Sequence, residues 1–134
     1  MANEEFQYSV LVTIGDTNME GNTYWTRYAE WFGEAREAWL LSIFPRSEII
    51  RMFGPGAPMV LMTHETTIRN LKPTFFGDKI VLVVTFKKVS YTSATMLIKF
   101  VSGTTLVAEG QQILVLGDAA TGKPIELPPP LREA

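Results

Sequence analysis

Residues 24–41 restrict the fold more than any other segment. Asn22 or Thr23 can cap a helix that runs to about Leu41. At about 100° per residue, Tyr24, Trp25, Tyr28, Trp31, Phe32, Ala35 and Trp39 fall within one arc of about 120°. Arg27, Glu30, Glu34 and Glu37 gather on roughly the other side, three and four residues apart. Such a helix cannot cover its own aromatic face. It needs a flat apolar surface of similar length.

The rest of the chain supplies that surface as strands. Phe6, Tyr8, Val10, Val12 and Ile14 alternate with Gln7, Ser9, Leu11 and Thr13, the period of a half-buried strand. Residues 59–71, 79–89, 94–101 and 105–116 read as four more strands. The joints at 73–78, 90–93 and 102–104 are short enough to connect antiparallel neighbours. Residues 42–58 hold Ile43, Phe44, Ile49, Ile50, Met52 and Phe53, broken by Pro45 and the Gly54–Pro58 cluster into a helical turn and a loop. This stretch is either a connection covering the end of the core or an apolar flap over a ligand tunnel. The Pro-rich tail, 121–134, reads as extended and mobile. The order is strand, helix, four strands, which predicts an α+β chain with an antiparallel sheet wrapped around one long helix. Free sheet edges in such a unit predict dimerisation by edge pairing.

Composition narrows the function. With 134 residues, 46% hydrophobic and 19% charged, the chain forms one folded domain, core at about 6–116, and has no repeats. A net charge of -2 offers no field for a polyanion, so a nucleic-acid module is not expected. The absence of Cys excludes a disulfide framework, a thiolate nucleophile and a Cys-ligated zinc, and a single His excludes a two-histidine metal site. No metal or cofactor is therefore expected. The first twenty residues hold Glu4, Glu5 and Asp16 but no Lys or Arg, unlike a signal peptide, and no apolar run approaches the ~20 residues of a membrane helix. The expectation is a cytoplasmic protein without membrane contact. His64 stands alone with no nucleophile-elbow sequence, so a Ser-His-Asp hydrolase is excluded; Gly54–Gly56 lacks the Lys-Ser/Thr of a phosphate loop.

Two stretches carry a family resemblance. Asp16-Thr17-Asn18-Met19-Glu20-Gly21-Asn22, followed by Tyr24 and Tyr28, resembles the loop before the buried helix of hotdog-fold thioesterases of the 4-hydroxybenzoyl-CoA thioesterase type. Ile68 to Asp78, ending in Pro73 and a Gly77-Asp78 turn, is similar to the same family's second strand and its exit. Trp31, Gly33, Arg36 and Glu37 are spaced like those of the enediyne polyketide thioesterases, which also carry Asn in place of the family's catalytic acid. The resemblance implies a hotdog fold, a homo-oligomer (a dimer, or a dimer of dimers) and hydrolysis of an acyl thioester. In the enediyne subgroup the acyl group is a β-keto polyketide or polyene carried by an acyl carrier protein.

The resemblance also implies a site. Asn18 occupies the position of the catalytic carboxylate, and the oxyanion amide falls on the backbone N–H of Trp25, where a helix N-terminus directs unpaired donors outward. Gly21 lets backbone and substrate approach closely. An amide side chain does not titrate, so Asn18 can hold a water or bond a carbonyl but cannot act as a base; it can also be an ordinary turn residue. Arg36 continues the Tyr28–Phe32 row at four-residue steps, so it borders the aromatic face and must find an acceptor or face a cavity. It is either a fixed cation aimed at a carbonyl or carboxylate, or a structural arginine pairing with Glu37 or Glu65. Tyr28 and Thr63 are candidate substrate contacts, although a tyrosine in a helical aromatic row is more often core. His64 and Glu65 should point to opposite faces of their strand, so they form no dyad. Glu34, Glu37 and Glu65 are the possible replacement carboxylates. Lys87, Lys88 and Lys99 are a candidate basic patch for an acidic carrier protein, and residues 43–53 a candidate wall of the acyl tunnel. The rival readings are an acyl-CoA or aryl-CoA thioesterase using one of those carboxylates, and a non-catalytic acyl-binding module. A hotdog dehydratase is disfavoured, because that chemistry needs a His and an acid converging near the helix.

Overall fold

The alternation seen at the start of the chain becomes β1 (Phe6–Leu11), an edge strand whose Phe6, Tyr8 and Val10 lean into the core. The computed structural model describes residues 5–133; residues 1–4 and Ala134, the last residue of the tail, lie outside the described residues. A 3-10 turn at Ile14–Asp16 leads to α1 (Trp25–Ile43), α2 (Arg46–Phe53), β2 (Met59–Asn70), β3 (Lys79–Lys87), β4 (Ser93–Ser102), β5 (Thr105–Asp118) and the short α3 (Pro129–Glu133). The five strands form one antiparallel sheet in the order β1-β3-β4-β5-β2. This is the α+β hotdog architecture, with the long helix on the inner face of the sheet.

Helix and sheet meet through complementary surfaces. Phe32, Ala35, Tyr28, Trp31 and Trp39 of α1 are buried against Ile80, Leu82 and Val84 of β3 and Met96, Ile98 and Phe100 of β4. Tyr28 packs edge-on to Phe100 and Trp31, at ring separations of 5.3 and 5.4 Å. Gly110 of β5 admits the helix closely. A Cβ there would lie 2.8 Å from the Thr67 carbonyl oxygen and 3.1 Å from the Phe32 ring.

Four expectations need correction. The helix begins at Trp25 rather than just after Asn22 or Thr23, and Tyr24 caps it without a side-chain hydrogen bond. Tyr24 and Trp25 therefore lie outside the aromatic face, Trp25 at 68% exposure, because they precede the part of α1 that reaches the sheet. The joint at 73–78 does not connect neighbours: β2 and β3 lie apart in the sheet, and the segment passes the N-terminal end of α1, hydrogen-bonding Thr23 through Thr74. The stretch after α1 contains an eight-residue helix, α2, beginning after Pro45, whose fixed φ suits a helix start.

The tail is the fourth correction. Instead of an extended mobile segment, it folds back across the end of the sheet. Asp118 N–H donates to the Lys123 carbonyl, Ile125 N–H to Leu116 and Leu127 N–H to Tyr91. Leu127 and Leu131 are buried. The apolar residues among and just after the prolines, Ile125, Leu127 and Leu131, supply the reason: docking them removes apolar surface from water.

Candidate active site

The loop before α1 is built around two side chains. Asp16 Oδ2 accepts from Thr13 N–H at 2.8 Å and Thr13 Oγ1 at 2.9 Å, while Oδ1 lies 3.3 Å from Arg27 Nε. The loop's first acid is thus occupied in holding the turn. Asn18 Oδ1 accepts from Glu20 N–H at 2.9 Å and Asn22 N–H at 3.1 Å. Only the Nδ2 donors of Asn18 remain for a substrate. Gly21 closes this turn at φ +86°, a conformation that disfavours any side chain; it does not line the cleft, which corrects its reading as a close-approach glycine.

Asn18, Thr23, Trp25, Tyr28, Asn70 and Lys72 line a cleft of about 380 Å³ at the N-terminal end of α1. The backbone N–H of Trp25 finds no acceptor among the described residues, so a helix N-terminal donor stands beside Asn18. Among the described residues, no Asp or Glu lines this cleft. Tyr28 is 3% exposed, and its hydroxyl lies 2.7 Å from Thr74 Oγ1, which donates to Thr23 Oγ1 at 2.7 Å. Burial holds the Tyr28 phenol above its ordinary pKa despite the Thr74 hydrogen bond, so it is neutral and cannot serve as a base.

Arg36 turns toward the sheet. Its Nη1 donates to Thr63 Oγ1 of β2 at 2.9 Å and to Gln112 Oε1 of β5 at 3.0 Å. Glu37 and Glu65, the carboxylates weighed as its structural partners, do not bond it. Gln112 escaped the sequence reading. It lies in phase with Ala108, Gly110, Leu114 and Leu116 on the inner face, and a buried Gln in an apolar row was the available signal. The guanidinium lines a second, largely apolar cavity of about 450 Å³ with Leu40, Ile49, Ile50, Phe53 and Leu61. Glu37 and Arg46 also line it. Within one chain, then, Asn18, Trp25 and Tyr28 share one cleft, Arg36 and Thr63 meet at another, and Trp25 and Arg36 are about 16 Å apart along the helix at 1.5 Å per residue.

The remaining candidates are placed as follows. β2 shifts register between Thr63 and Glu65, which leaves His64 without a partner on β5. Simple alternation therefore does not hold there, and the argument that His64 and Glu65 face oppositely fails at the bulge. Glu34 accepts from Tyr8 Oη at 2.9 Å on the exposed side of α1. Lys87 and Lys99 stand four register positions apart, and Lys99 is paired with Glu109, itself bonded to Arg69.

No curated protein matches the chain. Among solved structures, a 1,4-dihydroxy-2-naphthoyl-CoA thioesterase from Synechocystis is 23% identical, with 96% of this chain and 93% of that chain covered at a TM-score of 0.85. The dynemicin thioesterase, described in connection with polyene binding, is 23% identical over 97% and 94% of the two chains, TM-score 0.85. A gentisyl-coenzyme A thioesterase is 22% identical over 95% and 99%, TM-score 0.81. These likenesses share the fold. The sequence itself matches the thioesterase-like superfamily over residues 12–134. The chain belongs to the thioesterase-like superfamily and is a thioester hydrolase.

Proposed function

We propose that the chain hydrolyses an acyl thioester, a β-keto polyketide or polyene carried by an acyl carrier protein, without a catalytic carboxylate at the carbonyl. The observation that carries this reading is the cleft at the start of α1, which among the described residues holds an unpaired Trp25 amide and the free Nδ2 donors of Asn18 and is lined by no acid. Donors fixed where oxyanion charge develops lower the barrier without reorganising. Hydroxide or water adds to the thioester carbonyl carbon, the oxyanion is held by Trp25 N–H and Asn18, and collapse breaks the C–S bond to release the thiolate and the acid. A β-keto group makes the carbonyl electrophilic enough to dispense with a base. The likeness to the dynemicin thioesterase supports a polyene or polyketide chain.

Arg36 enters through a second copy of the chain. The edge of β2 is free, and Thr63–Thr67 are exposed along it. An antiparallel two-fold pairing of two β2 strands centred on Thr67 sets Glu65 of one copy opposite Arg69 of the other, and Thr63 opposite Leu71, the residue after β2. Leu71 lines the Asn18 cleft, and Thr63 holds Arg36. Such a homodimer brings the Asn18 cleft of one copy beside the Arg36 cavity of the other, supplying a cation for the carbonyl or for the carboxylate of the product. Two such dimers pairing into a tetramer complete the proposed assembly.

An acyl-CoA or aryl-CoA thioesterase is the second reading, favoured by Glu37, which lines the same cavity as Arg36. Single-turnover hydrolysis of β-keto, saturated and aryl thioesters, each on carrier protein and on CoA, separates the two. The first reading expects the β-keto acyl carrier protein to turn over fastest and Glu37→Gln to retain activity. Preference for an aryl-CoA, abolished by Glu37→Gln, overturns it.

A further inference from the structure

The Arg36 cavity and a second apolar space, lined in part by the chain's own C-terminal segment, share one wall residue, Leu61. The second space is bounded, besides Leu61, by Trp39, Phe86, Leu114, Leu127 and Leu131. This second space holds only about 20 Å³, room for roughly one water. It is small because Leu127 and Leu131 occupy it, at 5% and 8% exposure.

The segment that carries these leucines is fastened from outside the core. Asp118 Oδ1 accepts from Ala120 and Thr121 N–H, which turns the chain back. Leu127 N–H is bonded to the Tyr91 carbonyl, and the Arg132 guanidinium lies 5.1 Å from the centre of the Tyr91 ring and 3.3 Å from Glu126. Two buried leucines thus share a space with Leu61, a wall of the Arg36 cavity, and a polar latch holds them there.

We propose that residues 125–131 plug the acyl tunnel, and that Leu127 and Leu131 set the longest linear acyl chain the protein accepts. The chain runs from Arg36 along Leu40, Ile49 and Phe53 toward Leu61, and its terminal carbons stop against the leucine pair. The inference rests on the acyl-thioester reading for its biological meaning, but the tunnel can be tested by binding alone.

The test compares the wild type with Leu127→Ala/Leu131→Ala, measuring both the binding of linear fatty acids of increasing length by calorimetry and the kcat/KM for the matching acyl thioesters. Each added methylene that finds room strengthens binding about fourfold. The double variant should move the length optimum up by about two to four carbons, raising the long-to-short ratio at least tenfold. Short chains should bind within about threefold of wild type. Arg132→Ala, which loosens the latch without emptying the core, should shift the same ratio in the same direction by a smaller factor, and it carries the test if the double variant does not fold. An unmoved length profile in a folded variant, or an equal loss for short and long chains, overturns the plug. A shifted binding profile in a protein that hydrolyses none of the thioesters leaves the plug standing and sinks the proposed hydrolysis instead.

Discussion

Arg36 and Asn18 are polar groups whose surroundings decide what they can do. Nη1 of Arg36 is spent on Thr63 and Gln112, so the guanidinium is fixed on a side chain that lines the cavity. Arg36→Ala should lower kcat about 10²-fold, the scale of losing one preorganised donor, and a loss under threefold in a folded variant would remove Arg36 from the chemistry. With no acid in the Asn18 cleft, kcat should climb with pH without an inflection at about pH 4–6, as a pH-rate profile can check. Tyr28 belongs to stability. Its phenol is favoured neutral in the folded state by burial, so this contribution is complete below the unfolded pKa of about 10 and fades as pH rises through it toward the raised folded value. Tyr28→Phe should cost about 1 kcal/mol at neutral pH, through the lost bond to Thr74, and should weaken the alkaline loss seen in denaturant titrations.

Elements position those residues through one close contact. α1 lies where it does because Phe32 packs over a strand residue with no side chain, Gly110. Gly110→Ala pushes a methyl against the Thr67 carbonyl and the Phe32 ring, and should destabilise by about 1–3 kcal/mol in urea unfolding. The same displacement moves Arg36, one turn beyond Phe32, relative to Gln112, two residues beyond Gly110. Activity should therefore fall in the folded fraction as well. α2 and the start of β2 then wall the cavity, so the apolar residues of 43–53 cover the end of the core and line a cavity at once.

At the scale of the whole molecule, the sheet order leaves β1 and β2 as edges, and β2 is twice as long as β1, 12 residues against 6. A long unpaired edge invites pairing, and its middle, Thr66-Thr67, is uncharged between Glu65 and Arg69. Thr67→Glu places two carboxylates across the proposed two-fold axis, where like charges directly opposed repel. Analytical ultracentrifugation should find the wild type dimeric or larger and this variant shifted toward monomer, with activity falling in parallel. A monomeric wild type with full activity would dismiss the shared-site arrangement.

Local sequence was enough for the elements and their class. The apolar arc from Tyr28 to Trp39 and the alternating strands carry their periods along the chain, so α+β architecture with a buried helix follows from repeats of 3.6 and 2. The inward turn of Arg36 was also legible, as a charge on the border of that arc. Where the helix stops matching the sheet, which strands are neighbours and where the tail docks were not legible. Those depend on contacts between residues far apart in sequence, such as Tyr28 with Thr74, Arg36 with Gln112, and Leu127 with Tyr91. Periodicity reports which face of an element is apolar; only the folded chain decides what that face meets. Asn18 and Arg36, read from sequence as one pair, therefore line separate cavities in a single chain, because α1 holds their two sites about three turns apart.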